Sequence, residues 1–160
     1  MALTTAGVNG SISWIQTKTN TGFSNTIQGL DSISASVSPS LTGATPANVV
    51  YAEERTLSAS ASQTYDLQSL TDFLSQSLVM TRAFAIAISC SDGQVTLQQG
   101  TSNPLTWPLS GTAPAMVVPS GGFFVFGQAT AQTVSASVKT LKVTAGGSGG
   151  TYKIAILGGQ

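Results

Sequence analysis

Apolar and polar residues alternate with a period of two along most of the chain, the signature of strands with one buried face. In "TRAFAIAISC" (81–90), Phe84, Ile86 and Ile88 fall on one face with alanines between them. In "QVTLQQG" (94–100), Val95 and Leu97 do the same. Asp92-Gly93 between these runs reads as a tight turn. Further strands are expected within "MVVPSGGFFVFG" (116–127) and "TVSASVKTLKVTA" (133–145). Near the C-terminal end, Leu141 and Val143, then Tyr152, Ile154 and Ile156, can share one face, while Lys142, Thr144, Lys153 and Ala155 take the other. The intervening "GGSGG" (146–150) predicts a hairpin turn between two antiparallel strands.

One stretch departs from this period. In "TYDLQSLTDFLSQS" (64–77), Leu67, Leu70, Phe73 and Leu74 recur at three- and four-residue spacing behind Asp66 or Ser69 as a cap, which predicts one short helix. Residues 1–47 form a separate zone rich in Thr, Ser, Asn and Gly, with strand-like "SISWIQ" (11–16) and "SISASVS" (32–38) and a loop-like "SPSLTGATPA" (38–47). Its apolar anchors, Trp14, Ile15, Phe23, Ile27 and Leu30, are too few for a core of their own. The pattern predicts an all-β chain: an extended N-terminal arm over 1–47, then a two-sheet antiparallel sandwich over 48–160, jelly-roll-like, with one short helix.

Composition sharpens this picture. The chain has 160 residues, enough for one domain with an arm. Charged residues are 8% of it, six basic and six acidic, so the formal net charge is zero. Ser, Thr, Gln and Asn must cover the surface instead. Such a coat lacks the clustered Lys and Arg that neutralise phosphates, which argues against nucleic acid or an anionic membrane as partner. Net charge near zero also leaves self-association unopposed, pointing to an assembly. "MALTTAGVNG" has neither a basic start nor an apolar run, and no segment approaches the length of a membrane span, so a cytoplasmic product is expected. Cys90 is the single cysteine and reads as a small buried hydrophobe.

Candidate chemistry is sparse. There is no histidine, which removes Ser-His-Asp and Cys-His sites, and one thiol cannot build a zinc site. "GGSGG" leads into a strand and lacks the Lys-Ser/Thr of a phosphate cradle. Glu53 and Glu54 are adjacent in "NVVYAEERTLSAS", so a strand would send them to opposite faces. Asp66 and Asp72 have helix-cap and helix-surface readings, and Asp92 a turn reading. No cofactor is implied. For a sugar, Trp107 in the Pro-flanked "NPLTWPL" is the leading aromatic, followed by Tyr51, Tyr65 and Trp14; Trp107 can equally cover the end of the core.

The succession "TYDLQSLTDF", "TRAFAIAIS", "VVPSGGFFVF" and "LKVTAGGSGGTYKIAILGG" resembles small structural proteins encoded among the head and tail genes of tailed bacteriophages, which end on a strand, a Gly-rich turn and a strand of the form Tyr-x-Ile-x-Ile-x-Gly. The resemblance covers residues 64–160. It implies a jelly-roll-like sandwich on the virion, made in the host cytoplasm: a capsid decoration (cement) protein, head spike or tail component, commonly a homotrimer. The major capsid protein would be its partner, reached through the arm residues Trp14, Ile15, Phe23 and Ile27. The alternative is a tail, neck or spike component that binds host-surface glycans through Trp107.

Overall fold

A computed structural model of the chain describes residues 7–19, 26–37, 46–71 and 77–160, and over 8–37 the description is of the backbone. The described residues are all-β. Strands β1 (Val8–Thr19) and β2 (Thr26–Val37) pair antiparallel as a two-stranded ribbon. Its register sets Ile12 opposite Ile33 and Ile15 opposite Leu30. Trp14, Ile15 and Ile27 lie on this ribbon's backbone, whereas Phe23 lies outside the described residues.

Residues from Val49 onward build one six-stranded antiparallel sheet. It comprises β3 (Val49–Leu57), β4 (Ser62–Asp66), β7 (Arg82–Gln99), β8 (Ala115–Pro119), β9 (Phe123–Thr133) and β10 (Thr140–Gly159). The short pair β5 (Leu70–Thr71) and β6 (Ser77–Leu78) stands apart. Two very long strands, β7 and β10, run side by side and organise the rest. The first part of β10 pairs with β4, and the second with β3. The first part of β7 pairs with β9, and the second with β8. The sheet therefore has two four-stranded halves, ordered β3-β10-β7-β9 and β4-β10-β7-β8.

A crease separates the halves. It crosses Ser58–Ala61 between β3 and β4, Gly146–Gly149 in β10, Ser91–Gly93 in β7 and Ser120–Gly122 between β8 and β9. Each crossing holds one residue with left-handed backbone: Ser60, Gly149, Gly93 and Gly121. Two of these glycines are sterically required as well. A Cβ on Gly93 would stand 2.3 Å from the Gly149 carbonyl oxygen, and one on Gly149 would stand 2.8 Å from that of Leu57. The backbone stays hydrogen-bonded through the bend, Ser60 N–H donating to Gly146 O and Gly121 N–H to Cys90 O.

Bending brings the inner faces together around one core. Ile86, Ile88, Ile154 and Ile156 enter from one half, and Val95, Leu97, Leu141 and Val143 from the other. Contact across the fold is direct: Tyr65 of β4 and Tyr152 of β10 share a hydroxyl hydrogen bond of 2.6 Å. Cys90 is a buried free thiol within this core.

Three sequence expectations change. "GGSGG" is not a hairpin turn: its flanking segments are consecutive parts of β10, and both pair with β7. Asp92-Gly93 is likewise a bend within β7. A hairpin turn and an in-line bend both call for residues that tolerate positive φ, so the local signal is shared. The expected helix over 64–77 is not seen among the described residues. Asp66 Oδ1 accepts from Gln68 N–H and Asp66 O from Ser69 N–H, closing a single turn after β4. Leu67 and Leu70 are buried on the two sides of that turn, and their three-residue spacing mimics a helical one. The expected all-β, antiparallel character holds, and hydrogen bonding through β7 and β10 links the two halves continuously.

Candidate functional site

The two halves meet along two open margins, and these differ. On the β9 margin, the connection between β7 and β8 inserts Leu105, Trp107 and Leu109, all buried. Trp107 packs edge-to-face on Phe126, with ring centroids 5.4 Å apart and planes at 75°. It is 8% exposed, leaving no open ring face for a sugar to stack on, and its buried Nε1–H has no hydrogen-bond partner among the described residues.

The margin between edge strands β3 and β4 is a cleft of about 660 Å³, walled by Tyr51, Glu53, Arg55, Gln63 and Tyr65 and rimmed by Ser69 and Thr71. Alternation along β3 places it: Tyr51, Glu53, Arg55 and Leu57 point inward, while Ala52, Glu54 and Thr56 point out. Glu53 and Glu54 thus take opposite faces, as their adjacency predicts. Glu53 accepts from the Tyr51 hydroxyl through one carboxylate oxygen and from Arg55 Nε–H through the other. Below them, the Tyr51 and Tyr65 rings meet at 62° with centroids 5.8 Å apart, and Tyr65 continues to Tyr152. All three tyrosines of the chain therefore converge here.

The environment holds these groups in fixed charge states. Burial raises the Tyr51 pKa above its ordinary 10.0, reinforced by the hydrogen bond to Glu53 and by that carboxylate's charge. Burial first, then the hydrogen bond to Tyr152, raises Tyr65; burial raises Tyr152. The phenols are thus neutral and unsuited to act as bases or nucleophiles near pH 7. For Arg55, burial works against the charge, and the hydrogen bond and charge of Glu53 outweigh it, so its pKa is raised. Among the described residues that line the cleft, every charged side chain has a partner: Arg55 with Glu53, Asp66 Oδ2 with Lys139 Nζ at 2.7 Å, and Glu54 Oε2 with Lys153 Nζ at 3.4 Å. Among the described residues no group of three or more His, Cys, Asp and Glu side chains could hold a metal ion.

The outer faces of the sheet form a third region. On the β3-β10-β7-β9 half, the row Ala52, Ala155, Ala87 and Val125 runs straight across four strands, bordered by Val50 and by Phe123, which is 77% exposed. No helix among the described residues is long and apolar enough to cross a membrane. No family model matches the chain, and no curated protein is significantly similar to it. Sequence reasoning named Tyr51 and Tyr65 only as secondary aromatics and missed Arg55 and Tyr152 as their neighbours; the signal available was the clustering of Glu53, Glu54 and Arg55, the densest charge in the chain.

Proposed function

We propose that this chain is a non-enzymatic structural protein of a phage virion, a decoration protein that coats and stabilises the head shell as a homo-oligomer, with the major capsid protein as its partner. The observation that carries the reading is the apolar row of Ala52, Ala155, Ala87 and Val125 with exposed Phe123, a shallow concavity edged by the Glu54–Lys153 pair, whose small apolar side chains water does not favour and a neighbouring protein would cover. Zero net charge leaves nothing to repel a second copy. In the cleft, the carboxylate of Glu53 is engaged by Tyr51 and Arg55 and no nucleophile–base pair accompanies it, which fits a contact-making protein better than an enzyme.

The fold reading belongs to the same proposal. Counting each part of β7 and β10 separately, eight segments lie in two four-stranded halves, and their order, β3-β10-β7-β9 and β4-β10-β7-β8, supports a jelly-roll-like reading. The β1–β2 ribbon then serves as the arm that reaches adjoining shell subunits. A two-stranded ribbon alone is marginally stable in water, so a partner surface would order it. Shell stabilisation follows from binding the closed shell and not its dissociated parts.

Light scattering on the purified protein, followed by binding to empty phage heads, tests the reading. A trimer that saturates the shell and raises its disruption temperature is expected. A monomer that leaves the shell unaltered would overturn it in favour of a tail, neck or spike component that binds host glycans.

A further inference from the structure

We infer that the cleft between β3 and β4 is a binding site for a neutral polyhydroxylated ligand, one sugar unit of a glycan, independent of whether the protein coats a shell. The volume of about 660 Å³ lies in the range of small-molecule sites. Its lining mixes hydrogen-bond donors and acceptors at close quarters: the Glu53 carboxylate, the guanidinium of Arg55, the amide of Gln63, and the hydroxyls of Ser69 and Thr71. A carboxylate beside a guanidinium offers acceptor and donor at the spacing of two adjacent hydroxyls on a sugar ring.

Charge decides the ligand class. Among the described residues that line the cleft, the carboxylates Glu53, Glu54 and Asp66 are each paired with a cation, so these groups offer neither an anion nor a cation an unopposed partner. An uncharged polyol exploits the hydrogen bonds without disturbing the pairs. A peptide strand is the other occupant that an open sheet edge invites, and here Glu53, Glu54 and Arg55 sit on that edge. Charged side chains on an edge strand obstruct the addition of a further strand. The tyrosines supply the floor: Tyr51 and Tyr65 are buried and mutually packed, and the Tyr65–Tyr152 hydrogen bond fixes them before any ligand arrives.

The test is a titration of the full chain with glucose, galactose, N-acetylglucosamine and rhamnose in turn, followed by NMR at the Arg55 side-chain N–H and the tyrosine rings. Expected is saturable shifting of these signals by at least one sugar, with a Kd on the order of 1 mM, the scale for so small a ligand. Arg55→Leu and, as a milder change that leaves the Glu53–Arg55 pair intact, Gln63→Ala should each weaken binding by about tenfold or more, while Phe123→Ser on the outer face should leave it unchanged. Absence of saturable shifts with all four sugars, or equal affinity in Gln63→Ala, would overturn the assignment. Shell binding is read separately: its loss in Phe123→Ser with sugar binding retained would count against neither cleft nor ligand.

Discussion

The same long strands, β7 and β10, present two outer faces that differ in one row. Beyond the crease on the β4 and β8 side, the outward rows are Ser62, Thr144, Thr96 and Val117, then Thr64, Lys142, Gln98 and Ala115. Hydroxyls there bond to one another, Ser62 Oγ lying 2.9 Å from Thr144 Oγ1. On the β3 and β9 side, the row Ala52, Ala155, Ala87 and Val125 is apolar. It lies between the row Glu54, Lys153, Ser89 and Phe123, which holds an ion pair, and the row Val50, Leu157, Ala85 and Gly127, whose Leu157 and Ala85 are buried with Ala47 and Phe84. The β4 side is thus hydroxyl-rich, and the β3 side carries one apolar row beside polar ones. In a chain with so few charges, the placement of hydroxyls rather than of charges marks the free surface.

Five substitutions and one titration break or sharpen this comparison. The largest effect is expected from Gly93→Val. It places a branched side chain at a left-handed position and against Gly149 O, disturbing the crease that separates the two faces. A loss of about 3 kcal/mol in denaturant-induced unfolding is expected. Next, Ala87→Lys puts a charge in the centre of the apolar row, and self-association measured by light scattering should weaken by roughly 100-fold. Thr96→Lys, the same change on the hydroxyl face, should leave association unaltered.

Smaller effects come from the tyrosines beneath the cleft. Tyr152→Phe leaves the buried Tyr65 hydroxyl without its partner and should cost about 2 kcal/mol, read by thermal or chemical unfolding. The same cluster sets an alkaline limit. The phenols have raised pKa values in the fold against 10.0 when free, so the folded state binds more protons. Their contribution is complete below pH 10 and is lost as pH rises beyond it. Ultraviolet titration should therefore show tyrosinate appearing together with unfolding and not before it; early ionisation in an intact fold would contradict the burial. The least effect is expected for Thr144→Val on the hydroxyl face, within about 0.5 kcal/mol.

Much of this fold is legible in the sequence because alternation is local. Ile86 and Ile88 announce the inner side of β7, and Tyr152, Ile154 and Ile156 that of β10; Phe84, expected on the same face, sits at a register shift and packs with Ala47, Ala85 and Leu157 instead. What local pattern cannot carry is the partner of each strand. Gly93 and Gly149 reveal that the backbone must adopt positive φ, and only the continuous pairing of β7 with β10 distinguishes a bend from a reversal. At Asp66 the failure is of another kind: a carboxylate that caps a helix and one that closes a single turn make the same first hydrogen bond, and the turn wins because Tyr65 is already committed to β4. The cleft was hardest to see. Tyr65 and Tyr152 stand 87 residues apart, and their meeting depends on the crease. Trp107 drew attention because it is flanked by prolines, yet it is spent on closing the opposite margin.

The position of β10 also governs how the chain can be made. Residues 140–159 form a central strand, hydrogen-bonded to β3 and β4 on one side and to β7 on the other. A ribosome releases β3, β4, β7, β8 and β9 before it, and through that interval β3 and β4 have no neighbour in the sheet and β7 has one flank open. Synthesis at about 5–20 residues per second makes the wait a matter of seconds. Closure is then a late, long-range event that joins segments synthesised at opposite ends of this interval, so nascent chains stalled before Thr140 should engage holding chaperones, and chains released beyond Gly159 should let them go.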